Sequence, residues 1–165
     1  MSTMLDTSFQ FGCNVSMDCS EMAGRLTDWD AVRKFIFAGN AYITIRSAKT
    51  GVRFTFRVKA KKSSDDGRII HFVSLLRGPS NEDDFAYMGC IIAHTTFSFT
   101  QKSRVTAKAL SAKAWLWLFD CMIHDKPMSP SLEIWHEGRC GVCGRRLTVP
   151  ESVSTGYGPE CLGRL

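Results

Sequence analysis

The chain has 165 residues, 44% of them hydrophobic and 22% charged, the balance of a soluble globular protein with one core and room for a small metal-held appendage. No apolar run approaches the length that spans a bilayer, and the N-terminus lacks the basic and apolar regions of a secretory signal, so a cytoplasmic protein with no membrane partner is expected. A formal charge of +5 and a pI near 8.9 permit a polyanionic partner without requiring one.

Residues 1–27 show no consistent period and read as an irregular arm, ordered only where Phe9 and Phe11 find something to pack against. A core domain is expected over residues 28–126. Thr27 or Asp28 can cap a helix that runs to Phe37, with Trp29, Val32, Phe35 and Ile36 inward and Gly39-Asn40 as its stop. From Ala41 the period becomes two. Tyr42 to Ser47 and Val52 to Lys59 alternate around the turn residues Ala48-Lys49-Thr50-Gly51, which predicts a β-hairpin with Ile43, Ile45, Phe54, Phe56 and Val58 toward the core. Arg68 to Leu76 reads as a central strand, and Gly78 to Asp84 as a loop. Strands over Phe85 to Ala93 and Thr95 to Thr100 complete an antiparallel meander of about five strands. Ser111 to Ile123 then predicts a helix with a broad apolar surface, Ala114, Trp115, Leu118, Phe119 and Met122, suited to lie on that sheet. Lys126-Pro127-Met128-Ser129-Pro130 ends it.

The last segment, residues 127–165, carries the clearest chemistry. Cys140 and Cys143 form a Cys-x-x-Cys pair with glycines at 141 and 144, a zinc knuckle in which tight backbone turns aim two thiolates at one cation. Cys161 follows Gly158-Pro159, so its thiolate points out from a helix N-terminus, where negative charge is favoured. For the fourth ligand His136 is the first choice, with Cys121, His124, Glu137 and Glu160 as alternatives. Four protein ligands would close the sphere and make one Zn2+ per chain structural rather than catalytic. The remaining cysteines, Cys13, Cys19, Cys90 and Cys121, lack a disulfide framework, in keeping with a reducing compartment.

Three surfaces are candidates for contact. The outward side of the hairpin gathers Arg46, Arg53, Arg57, Lys59, Lys61 and Lys62, with Tyr42 and Thr44 nearby, the mixture of cations and aromatic rings that nucleic-acid sites use. The same residues also suit a solvated sheet face that discourages edge pairing. The loop Arg77, Asn81, Glu82, Asp83 and Asp84 could engage a protein partner, or simply connect two strands. Arg139, Arg145 and Arg146 around the knuckle could touch phosphate or screen the thiolates. No catalytic residue is assigned: there is no phosphate loop, nucleophile elbow or metal motif with an open position. His71 and His94 read as structural histidines, and Cys90 lacks the electropositive setting of a reactive thiol.

Phe37 to Ala41, Thr44 with Ser47, Thr50 to Val58, and Leu76 to Asn81 together resemble the N-terminal portion of small proteins encoded by phages and prophages. The tail resembles their zinc-binding segment, in which His, Cys-x-x-Cys-Gly-Arg, Leu-Thr-x-Pro-Glu-Ser and Gly-Pro-Glu-Cys recur; here these are His136, Cys140 to Arg145, Leu147 to Ser152 and Gly158 to Cys161. The resemblance runs from about Phe35 to Cys161. It implies a phage origin and supports the four ligands His136, Cys140, Cys143 and Cys161, but transfers no activity, because that family is one of unknown function. Only four residues follow Cys161, so the closing helix is expected to be about one turn, a truncated treble clef. The fold expected is α+β, an antiparallel sheet packed by the Ser111 to Ile123 helix and followed by the zinc module. The function expected is non-enzymatic nucleic-acid binding; the alternative is a protein-interaction module that inhibits a host enzyme or antiviral defence complex.

Overall fold

Asp28 opens the first helix by accepting a hydrogen bond from the Ala31 N–H at 2.8 Å, so helix α1 (Trp29–Ile36) begins at one of the two capping residues expected. Trp29, Val32, Phe35 and Ile36 are buried along its inner face. The structure, a computed structural model, describes residues 24–80 and 82–165. Most of the expected arm, with Phe9, Phe11, Cys13 and Cys19, lies outside the described residues, as does Asn81.

Five strands follow as an antiparallel meander: β1 (Asn40–Ser47), β2 (Arg53–Lys62), β3 (Ile69–Leu76), β4 (Phe85–Ile92) and β5 (Thr96–Ser98). Helix α2 (Leu110–Ile123) comes next, and then the chain returns to the far edge of the sheet as β6 (Leu132–His136), antiparallel to β1. The order is β5-β4-β3-β2-β1-β6. The sheet thus has six strands rather than about five. Along the sequence the sixth does not stand out, because five residues with three inward positions, Leu132, Ile134 and His136, are too few for alternation to show. It also carries the sheet across the boundary expected at residue 127, and Leu26 and Gly24 bond to its outer edge (Leu26 N–H to Ile134 O, 2.8 Å; His136 N–H to Gly24 O, 2.9 Å).

Alternation assigns the two faces. Ala41, Ile43, Ile45, Phe56, Val58, Val73, Leu75, Ile91 and Ile134 are buried together on one. Helix α2 covers that face with Trp115, Leu118 and Met122; the Trp115 ring lies 5.0 Å from Phe56 and 6.0 Å from Phe97, centroid to centroid. Burial of these side chains, each worth roughly 1.5–3 kcal/mol, holds the layers together. Gly89 fits a β4 irregularity opposite Val73, where a Cβ would stand 2.5 Å from the Ser98 carbonyl. The opposite face bears Trp135, Tyr42, Thr44, Arg46, Arg53, Thr55, Arg57, Lys59, Lys61, Phe72, Ser74, Phe85 and Tyr87. Among the described residues no helix is long and apolar enough to cross a membrane.

Candidate metal centre and sheet face

The knuckle is a tight hairpin. Gly138 (φ +69°) and Gly144 (φ +75°) take left-handed conformations that a side chain disfavours, and the backbone closes through Leu147 N–H to Gly138 O, Cys140 N–H to Arg145 O and Gly144 N–H to Cys140 O, each 2.8 Å. Two short helices complete the tail, α3 (Pro150–Thr155) and the single turn α4 (Pro159–Leu162), which has Pro159 in its first turn and presents Cys161. The sulfur atoms of Cys140, Cys143 and Cys161 all lie within 4.8 Å of one another. A tetrahedral ion at about 2.3 Å from each sulfur needs them roughly 3.8 Å apart, so the donor set fits a metal ion with little rearrangement.

The electrostatics suit a cation. Burial pushes the Cys140 thiol up, but N–H groups of Cys143, Gly158 and Val142 aimed at its sulfur outweigh this and bring it down to about 7, so thiolate is present at neutral pH. Burial first, and then the neighbouring Cys143 and Cys140, push Cys161 up to about 11.

His136, the first choice for a fourth ligand, is not one of the three clustered donors. Its strand position, opposite Ile43, turns the ring to the core face against Phe35, 5.6 Å away. Both ring nitrogens are engaged: Nδ1 accepts the Gly138 N–H at 3.0 Å and Nε2 meets the Val153 carbonyl at 2.6 Å. That pairing makes Nε2 the protonated nitrogen, and burial lowers the ring's pKa, holding it neutral. The alternatives do not join the cluster either. Glu137 accepts a hydrogen bond from the Thr44 hydroxyl, and His124 pairs with Asp120. The donors that the structure brings together among the described residues are the three thiols of Cys140, Cys143 and Cys161.

The tail is seated on the core. Asn40 donates its backbone N–H to Gly141 O at 2.7 Å and its side-chain amide to Val142 O at 3.0 Å. Phe35 lies under Gly141 and Gly156, and its ring is 5.9 Å from Tyr157.

On the open face Arg53, Arg57, Lys59 and Lys61 do share one side of β2, as alternation requires, but Lys62 falls on the other, opposite Ile69 at the end of the strand. Arg46, Arg53, Lys59, Lys61 and Lys62 are exposed; Arg57 is half-buried with its guanidinium 4.4 Å over the Phe85 ring. Arg139, next to Cys140 in the knuckle, stands 5.3 Å over Tyr42, and Tyr42 and Phe85 meet edge to face at 5.9 Å. Glu82 links the two arginines: its carboxylate pairs with Arg139 at 2.9 Å and its carbonyl accepts from Arg57 at 3.3 Å. In the same loop Asp84 accepts the Ser80 N–H, making it a turn brace, while Arg77 and Asp83 are exposed. Phe72 and Tyr87 pack 6.1 Å apart farther along the face, and Arg25 lies 5.7 Å over Trp135 at its edge. The sequence hides these aromatic positions because β3 reads as buried on both faces; strict alternation along β3 and β4 is the signal that could find them.

A six-stranded antiparallel sheet with helices on one face, an open polar and aromatic face, and a tail able to hold a metal ion defines an α+β protein with a candidate metal centre. The tail, residues 135–165, matches the family of unknown function DUF6011. No curated protein and no solved structure matches the chain.

Proposed function

We propose that this chain is a non-enzymatic nucleic-acid-binding protein whose metal is a structural zinc ion. The observation that carries the reading is the open sheet face, where Arg57 and Arg139 lie over Phe85 and Tyr42 beside the exposed row Arg46, Arg53, Lys59 and Lys61. The cations supply phosphate contacts, and Phe72 and Tyr87 farther along the same face supply stacking surface, the two terms that dominate nucleic-acid affinity. Three thiolates belong with the ligand sets of structural zinc sites, which use four cysteines or three cysteines and a histidine. His136 completes the latter set only if its ring leaves Gly138 and Val153, and the outer-shell scattering of a coordinated imidazole in the X-ray absorption spectrum of the zinc-loaded protein tests this. The phage or prophage setting we propose rests on the sequence resemblance alone.

The deciding experiment is fluorescence anisotropy with labelled single- and double-stranded DNA and RNA. Affinity at low salt that falls log-linearly as salt rises is expected; no affinity for any of the four at low salt refutes the reading.

A protein-interaction module, directed at a host enzyme or defence complex, is the second reading. A groove of about 530 Å3 between the β1–β2 hairpin and α2 favours it, lined by Val52, Phe54, Leu110, Ala114, Trp117 and Leu132, of which Leu110 and Trp117 are 64% and 47% exposed. Capture of a protein from host extract that survives nuclease and high salt would select this reading.

A further inference from the structure

Glu82 joins two arginines, Arg139 through its carboxylate and Arg57 through its backbone carbonyl, and this arrangement specifies the ligand more closely than a basic surface does. Resting on the nucleic-acid reading above, we infer that the ligand is single-stranded, and that one of its backbone phosphates takes the seat Glu82 occupies between Arg139 and Arg57.

Both guanidinium groups stand over rings, Arg57 over Phe85 and Arg139 over Tyr42, contacts that favour these positions before any ligand arrives. Arg139 is further held by its position in the knuckle, where it donates to Gly144 O at 3.4 Å. The carboxylate, which pairs with Arg139 and not with Arg57, is the most weakly anchored of these groups: the Glu82 side chain is 71% exposed, against 21% for Arg139. An exposed carboxylate on a loop, paired with a preorganised arginine, is a stand-in anion that a phosphate displaces at small cost. The Glu82 side chain then turns out to solvent, and the sheet continues from the vacated seat toward Tyr87. Pairing in register puts Tyr42, Arg57, Ser74 and Tyr87 in one row across four strands, with Lys59 and Phe72 in the next. Ser74 is buried and flush, leaving Phe72 and Tyr87, both half-buried and neither capped by a cation among the described residues, as platforms for unstacked bases. A duplex keeps its bases stacked inside and cannot use such platforms; a single strand can.

Anisotropy with a labelled oligothymidylate, an oligouridylate and a duplex of equal length tests this on the full chain. The single strands are expected to bind more tightly than the duplex. Glu82→Gln, which keeps the side chain's shape and removes its charge, is expected to raise single-strand affinity about two- to fivefold, the range of an exposed ion pair. Arg139→Gln is expected to lower affinity and to reduce the log–log salt slope by about 0.7, one phosphate. Phe72→Leu and Tyr87→Leu, which keep a bulky apolar side chain at these half-buried positions, should weaken single-strand binding while leaving the thermal midpoint near wild type. Equal or tighter duplex binding, or a Glu82→Gln variant no stronger than wild type, overturns this inference and leaves the broader reading standing. Failure of every probe with every variant removes both.

Discussion

Truncating Phe35 to Ala asks whether the cysteine-bearing tail and the helical core are one folding unit. The ring is fully buried on α1 and forms the floor beneath the tail: a Cβ built on Gly141 would stand 2.9 Å from its ring carbons, one on Gly156 3.1 Å, and the His136 and Tyr157 rings flank it at 5.6 and 5.9 Å. Removing a buried phenyl ring from a site that relaxes only partly costs about 3–5 kcal/mol. Because the ring serves both α1 and the tail, part of that loss falls on tail docking, and each 1.4 kcal/mol transferred to the metal site weakens zinc retention about tenfold. Urea denaturation followed by tryptophan fluorescence measures the first quantity; zinc transfer to a chromophoric chelator measures the second. Gly141→Ala attacks the same contact from the tail side, and overpacking there is expected to cost about 1–3 kcal/mol. If Phe35→Ala lowers stability yet releases zinc at the wild-type rate, the tail holds its metal independently and the reasoning from docking is wrong.

Elemental analysis of protein prepared with zinc is expected to give one ion per chain, and Cys140→Ser to give none, with loss of tail structure, since structural zinc contributes on the order of 10 kcal/mol in small fingers; retained metal in that variant would overturn the ligand assignment. A pH effect follows from His71, which is 1% exposed with Nδ1 unpartnered. Burial, and secondarily the nearby His94, lower its pKa from 6.5, against a smaller opposing effect of the Phe37 carbonyl. Below pH 6.5 the unfolded chain therefore binds a proton that the folded chain refuses, so His71 contributes stability above that pH that is lost as pH falls through and below it. Urea midpoints should drop between about pH 7.5 and about pH 5.5, and His71→Phe should flatten the curve; an unchanged pH dependence in that variant would rule His71 out as the source.

Much of the fold was legible because local chemistry and tertiary demand agree. Asp28 both caps α1 and precedes its apolar stripe, and the alternation from Tyr42 to Lys59 names the hairpin and its inward residues. The three cysteines were legible for the same reason: glycines at 138, 141, 144 and 158 and Pro159 are backbone instructions that need no distant partner. The sixth strand was not, because Leu132–His136 becomes a strand only when β1 offers its edge. His136 shows the limit most clearly. Its spacing from Cys140 suits a ligand, yet pairing with Ile43 fixes which way the ring faces, and no count along the chain contains that pairing.

The sequence by itself determined the first helix, the five-strand meander, the Ser111 to Ile123 helix, the cysteine motifs and the cationic side of β2, since each depends on neighbours a few positions apart. Only the tertiary structure decided that Arg139 stands over Tyr42 and Arg57 over Phe85, with Glu82 between them. Those groups come from separate stretches of chain, and it is the register of an antiparallel sheet, together with the seat of the knuckle on Asn40 and Phe35, that brings them within reach.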